Sequence, residues 1–232
     1  MDKVSVDLTL PTPYLEKSRS LGRFKRRLTH QHYIRLMRRY VPSTAKVLDV
    51  GTGSGSFLSE VKRNFPDMEL SGIEYDVRLV AETNAKLGLP VCQQGNAETF
   101  DLNAQFDLIT SFQVIEHLYN PNAFIANCRK HLKPNGVLLI TTPNLGCLSR
   151  HVMKDNWHGF RDDHVSLKTA QDWEKYLITA GLSRLYIGTT FLSGMPILNT
   201  FPLGIFNWSL LMTFGSLPWL GGEAFVGVFQ NA

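Results

Sequence analysis

The stretch Val47-Leu48-Asp49-Val50-Gly51-Thr52-Gly53-Ser54-Gly55-Ser56-Phe57-Leu58 restricts the fold of this chain more than any other. Val47–Val50 reads as a short buried strand, bounded upstream by Pro42 and Ser43. Three glycines at alternate positions follow it, and Ser56 to Val61 begins a helical pattern. Strand, glycine turn and helix in that order form the phosphate- or nucleoside-binding corner of a doubly wound α/β sheet. Glycine is needed there because the backbone turns sharply and a ligand approaches where a Cβ would sit. A dinucleotide fingerprint places glycine at its first, third and sixth positions. Gly51 and Gly53 fit that spacing, but Ser56 stands sixth and Gly55 is extra. Downstream, Leu70–Glu74 reads as a second strand ending in an acid, followed by Tyr75. In doubly wound folds an acid at that point accepts hydrogen bonds from ribose hydroxyls. The two features together point to nucleoside binding.

The corner reads Asp-x-Gly-x-Gly-x-Gly, which resembles the first motif of class I S-adenosylmethionine-dependent methyltransferases. The likeness extends along the chain. Phe106-Asp107-Leu108-Ile109 with Val114-Ile115-Glu116-His117-Leu118 is similar to a block of the subgroup that includes quinone-biosynthesis O-methyltransferases. Leu132-Lys133-Pro134-Asn135-Gly136 before an apolar strand is another shared phrase. These motifs run in the family's order from about Lys46 to Asn144. The resemblance implies an α/β fold with a doubly wound, mostly parallel seven-stranded sheet, helices on both faces and a closing antiparallel pair. It implies S-adenosyl-L-methionine as cofactor and methylation, as O-methylation, of a small-molecule, glycan or lipid-linked acceptor. The implied cofactor site comprises Asp49, Gly51, Gly53 and Gly55 beside the methionine part, and Glu74 with Tyr75 at the ribose. Phe112 and Gln113, at the end of the fourth strand, border the methionine part. Where the family often has Gly-Asp-Ala-Glu, this chain has Gly95-Asn96-Ala97-Glu98. Asn96 can still offer its carbonyl oxygen to the adenine amine, without charge, and the Ala97 N–H is a second contact for the adenine edge.

Catalysis in such an enzyme needs an acceptor base. The segment Leu145–Lys168 has no clear period and lies just past a strand end, where substrate loops belong. Its Trp157-x-x-x-Arg161-Asp162-Asp163-His164 order resembles a segment of the same subgroup in which the His lies near the substrate pocket. His164 is therefore the candidate base, with Asp162 or Asp163 to orient it. His117 has two readings, a base near the substrate or a support for its loop. Phe112 and Trp157 offer aromatic faces to the sulfonium cation. A His/Asp metal site is one further reading of this segment, but no thiolate or H-x-x-x-H spacing supports zinc, and no metal is expected. Three cysteines without C-x-x-C spacing suit a reducing compartment, and residues Met1–Ser5 carry no apolar signal-peptide core. The expected location is cytoplasmic, or peripheral at the inner membrane face.

The remaining features concern partners and organisation. Residues 1–46 hold eleven Lys or Arg against Asp2, Asp7 and Glu16, a net +8, so the rest of the chain carries −4. A basic end fits an acidic partner: a phosphate-bearing substrate, anionic lipid or, non-specifically, nucleic acid. Residues 1–45 read as a basic arm and helical cap. Within it Tyr33, Leu36, Met37, Tyr40 and Val41 make one apolar stripe and Pro42 ends the helix. Arg19, Arg23 and Arg26 share another face and include a candidate partner for the cofactor carboxylate. Residues 46–192 and 223–232 make the methyltransferase domain. Residues 193–222 make an apolar insertion inside a charge-free run from Leu185 to Gly222. Pro196, Pro202 and Pro218 interrupt it, so it is no membrane span. It reads as a lid over an apolar substrate, a monotopic membrane contact or a homodimer interface. Two other function classes share these features: a nucleotide (NAD)-binding oxidoreductase, and a non-catalytic cofactor-binding subunit.

Overall fold

The computed structural model describes residues 20–191 and 202–231. The strands are β1 (Lys46–Val50), β2 (Glu69–Glu74), β3 (Cys92–Gln94), β4 (Phe106–Phe112), β5 (Leu132–Pro143), β6 (Leu182–Thr190), β7 (Ser216–Leu217) and β8 (Ala224–Asn231). They form one sheet in the order β3-β2-β1-β4-β5-β8-β6-β7. Strands β1 to β5 pair in parallel, β8 runs antiparallel to both β5 and β6, and β7 runs antiparallel to β6. The doubly wound sheet with its closing antiparallel pair is thus present. Among the described residues it has eight strands rather than seven, because Ser216–Leu217 of the apolar insertion adds a short edge. Two residues are too few to show a strand period in sequence.

Among the described residues seven α-helices accompany the strands: α1 (Ser20–Tyr40), α2 (Ser56–Asn64), α3 (Val77–Leu87), α4 (Pro121–His131), α5 (Leu148–Met153), α6 (Ala170–Thr179) and α7 (Leu203–Phe214). Alternate residues of the central strands feed two cores. Leu48 and Val50 of β1 pack with Phe124, Ile125 and Trp173, while Val47 packs with Tyr33, Met37 and Val61. Because both faces are covered, the parallel strands read as apolar runs rather than as alternations. In α1 the stripe Tyr33, Leu36 and Met37 is buried, with Ile34 beside it. Local chemistry sets the boundaries. Asp76 caps α3 by accepting from the Arg78 N–H, and Gly88 ends that helix in the left-handed conformation.

Three departures have local causes. Lys133-Pro134-Asn135-Gly136 lies inside β5, not between a helix and a strand. The register jumps there from Phe106↔Leu132 to Leu108↔Val137, and Asn135 takes a positive φ, as in a bulge. The unpatterned segment after β5 contains α5, whose six residues are too few to display a helical period. The insertion contains α7, which has no charged residue on any side and so no polar–apolar contrast to read. Residues 1–19 of the basic arm, Arg19 included, and residues 193–201 of the insertion lie outside the described residues.

The chain winds outward from β1 through β2 to β3, then returns to β4 on the other side of β1. That reversal opens a crevice beyond the C-terminal ends of β1 and β4.

Candidate active site

The crevice floor is the glycine corner. The N–H groups of Gly51 and Thr52 both donate to the carbonyl of Ile73, which fastens the loop to the end of β2. Gly51, Gly53 and Gly55 all have positive φ, a region that L side chains enter at a cost. The glycines differ in what surrounds them. A Cβ on Gly51 would collide with Val114, and one on Gly55 would press on Thr83. At Gly53 a Cβ would meet no protein atom within 4 Å. The space beside Gly53 is therefore open to a ligand.

Asp49 and Glu74 occupy this corner in different ways. Asp49 is only 2% exposed and accepts a hydrogen bond from the Thr110 hydroxyl at 2.7 Å. Burial pushes its carboxyl up to about 7; the Thr110 bond opposes this and the nearby Glu74 charge adds to it. Glu74 is half-buried. Its Oε2 accepts from the Gly53 N–H at 2.7 Å and its Oε1 from the Asp76 N–H at 3.0 Å. One carboxylate thus joins the glycine loop to the start of α3. Tyr75 stands beside it, 74% exposed at the crevice lip. Beyond β3, the Asn96 carbonyl oxygen accepts from the Glu98 N–H at 2.7 Å, shaping the turn in which Ala97 is half-buried.

At the end of β4, Phe112 stacks flat on Tyr33 of α1, with ring centroids 4.3 Å apart and planes 11° apart. Phe57 of α2 meets Phe112 edge-on at 4.7 Å. This aromatic trio closes one wall of the crevice, and Tyr33 is a wall residue that sequence reading placed only in a core stripe. Gln113 is a non-glycine residue with φ +58. Its N–H donates to the Thr141 carbonyl at 2.9 Å, and its side-chain amide to the Thr141 hydroxyl at 3.3 Å. Left-handed backbone at a non-glycine residue is held only where neighbours over-determine it, as these two bonds do.

The block after β4 turns as a short 3₁₀ helix, Ile115–His117. Glu116 is fully buried. Its Oε2 accepts from the Thr142 hydroxyl at 3.0 Å, and its Oε1 has no hydrogen-bond partner. Burial, helped by the neighbouring Asp163 charge and opposed by the Thr142 bond, pushes this carboxyl up to about 7. His117 Nδ1 donates to the Asp163 carbonyl at 3.0 Å and lies 3.4 Å from its carboxylate. His164 packs edge-on against His117 at 4.8 Å, and its Nδ1 donates to the Gly159 carbonyl at 2.8 Å. With the His164 Nδ1 proton directed at a carbonyl, the neutral form of that ring carries its lone pair on Nε2. Burial lowers the His164 pKa, which keeps that imidazole neutral.

The structure therefore brings His117 and His164 together, though 47 positions separate them. It distributes the acids differently from the sequence expectation. Asp163 serves His117 and is also held by Arg161, while Asp162 is exposed and is not among the hydrogen-bond partners of His164. Glu116 was missed, although its place beside His117 was visible. Together Glu116, His117 and His164 offer one potential metal-ligand atom each within 4.8 Å of the others, a grouping no spacing rule would find. Trp157 offers no face to the crevice. It is buried, and its indole N–H donates to Glu223 Oε1 at 2.7 Å, which ties the loop after α5 to the start of β8. Ser149 donates to the other oxygen of Glu223 at 2.5 Å.

Comparison with known proteins accords with this geometry. A family model described as a methyltransferase domain matches residues 23–186. Over 102 residues the chain is 34% identical to a Mycolicibacterium smegmatis protein named "Probable S-adenosylmethionine-dependent methyltransferase", covering 42% of this chain and 38% of that one. Over 109 residues it is 38% identical to the ubiquinone biosynthesis O-methyltransferase of Glaesserella parasuis, covering 43% and 45%. The chain thus matches less than half the length of these relatives. A solved S-adenosylmethionine-dependent methyltransferase of Thermotoga maritima shares the fold with a TM-score of 0.64 at 14% identity, covering 92% of this chain and 96% of that one.

Proposed function

The chain belongs to the S-adenosylmethionine-dependent class I methyltransferase family, and from that membership we propose that it methylates an oxygen of a small-molecule, glycan or lipid-linked acceptor. The observation that carries this reading is a juxtaposition on one edge of the sheet. The left-handed glycine corner tied to Glu74 and the His117–His164 pair both lie beyond the C-terminal strand ends. The open space at Gly53 fits a cofactor that must approach the backbone closely.

S-adenosylmethionine, when bound, supplies a methyl group on a positively charged sulfur. The Gly51–Gly55 backbone would hold its amino-acid end, and Glu74 would take its ribose hydroxyls. Asn96 and Ala97 would meet its adenine. The aromatic wall of Tyr33, Phe57 and Phe112 keeps water from that side of the crevice. His164 is neutral and presents Nε2, so it can take the proton of an acceptor hydroxyl as the oxygen gains its methyl group. Holding two reactants in near-attack geometry removes about 7–11 kcal/mol of barrier, and a placed base adds roughly 10²–10⁴-fold in rate.

Calorimetry with S-adenosylmethionine, S-adenosylhomocysteine and NAD tests the cofactor. Mass spectrometry of phenols, sugars and cell lipid extract incubated with labelled cofactor tests the acceptor. The reading expects binding of the first two ligands and an oxygen-linked methyl group on a product. Binding of NAD alone would make the protein an oxidoreductase. Cofactor binding without transfer to any acceptor would leave a non-catalytic subunit.

A further inference from the structure

We propose that α1 and α7 together form a docking face for an anionic membrane surface, beside the mouth of the crevice. The two helices lie against each other. Arg35 of α1 donates to the Thr213 carbonyl near the end of α7 at 3.2 Å, and His32 of α1 is hydrogen-bonded to Ser216 just beyond it at 2.9 Å. What they present to solvent is complementary to a lipid headgroup layer in two respects.

The first respect is charge. Helix α1 holds seven Lys or Arg and no acid. Arg35 and Arg39, one turn apart and so on one face, are both exposed, and Arg35 reaches the end of α7. The second is apolar area without charge. Helix α7 contains no ionisable residue. Leu203, Phe206 and Phe214 recur at helical spacing and are exposed, with Ile205 adjacent; Phe206 and Ile205 are 67% and 61% exposed. Trp219, exposed past the end of β7, adds an amphipathic ring at the same edge. No helix of the described residues is long and apolar enough to cross a membrane. Twelve residues of α7 span only about 18 Å at ~1.5 Å per residue, against about 30 Å of hydrocarbon. Such a helix lies in the interfacial plane. Tyr33 of the same α1 stacks on Phe112 at the crevice wall, so docking would bring the crevice to the bilayer surface.

The face is chosen over a second copy of this chain because of its charge. Two copies meeting through it would set like-charged arginines together, whereas an anionic surface neutralises them.

The test is co-sedimentation of the full chain, without cofactor, with phosphatidylcholine vesicles lacking or containing phosphatidylglycerol, at low and high salt. Because it uses neither cofactor nor turnover, its failure is separate from failure of the methyltransferase reading. The expected result is binding to the anionic vesicles that weakens in high salt. Arg39→Gln should lower partitioning about fivefold, the equivalent of about 1 kcal/mol per basic residue at the surface. Phe206→Asp should lower it about ten- to hundredfold, as expected for withdrawing one aromatic side chain from an apolar layer, with an unchanged circular dichroism spectrum. Absence of binding to either vesicle would overturn the proposal. So would binding indifferent to Phe206→Asp, or a dimer in sedimentation equilibrium that Phe206→Asp dissolves.

Discussion

Glu74 is the carboxylate that joins the glycine loop to α3, and on the proposed reading, in which it also takes the cofactor ribose, its loss has a calculable effect. In Glu74→Ala the Gly53 and Asp76 N–H groups lose the carboxylate that joins them at 2.7 and 3.0 Å. Both are near the surface, so water replaces the bonds in the free protein and the fold survives. Binding is another matter. The ligand then meets a loop no longer fixed by its acid, and its ribose meets no carboxylate. A hydrogen bond to a charged group is worth about 1.5–3 kcal/mol; at 1.4 kcal/mol per tenfold that is roughly a 10- to 150-fold rise in the Kd for S-adenosylmethionine. Glu74→Gln should fall between, since its amide keeps one acceptor oxygen and turns a donor toward the second N–H. Calorimetry gives the affinities, and hydrogen exchange at the Gly53 and Asp76 amides shows whether the loop has loosened. A Kd within twofold of the native value in Glu74→Ala, with faster exchange at both amides, would refute the reasoning. The carboxylate would then organise the loop without touching the ligand.

Gly51→Ala and Gly53→Val should separate the fold from the site. The first drives a methyl into Val114 at a positive φ and should cost about 2–4 kcal/mol of stability in denaturant melts. At the second position a Cβ meets no protein atom within 4 Å, so the change should leave unfolding within about 2 kcal/mol of native while abolishing cofactor binding; equal effects on melting would contradict the assignment. His164→Ala should cut turnover by about 10²–10⁴-fold with cofactor affinity unchanged. In the native enzyme kcat/KM should rise with pH through a value below the ordinary imidazole range, because burial lowers the His164 pKa; a variant of near-normal rate removes His164 from the chemistry. Asp49 and Glu116 both titrate near 7 in the folded protein, above their ordinary values. The folded state therefore binds more protons than the unfolded state between about pH 4 and 7, and stability should fall as pH rises through that window. Asp49→Asn with Glu116→Gln should flatten the dependence in chemical denaturation, and an unchanged slope would show that other groups set it.

The parts legible in the sequence are those that local chemistry dictates. The β1–glycine–α2 corner could be read because only glycine enters left-handed backbone without penalty, and three such residues follow one strand. Glu74 could be read because the end of the second strand in this winding always borders the crevice. The helix ends at Asp76 and Gly88 carry their own caps. The long apolar segment could be recognised as unusual from its lack of charge, yet α7 within it could not, since a helix without a polar side has no period to show.

The sequence alone determined the winding of the sheet, the place of the glycine corner and the family, because each follows from residue types a few positions apart. Only the tertiary structure decided which groups meet across long separations: His117 with Asp163 and His164, Phe112 with Tyr33, Trp157 with Glu223, and α1 with α7. It also decided that Glu116 is buried with one oxygen unpartnered, and that Asp163 rather than Asp162 faces the histidines. These pairings depend on how strand ends and loops converge after the two cores have packed. Spacing along the chain carries no trace of that convergence.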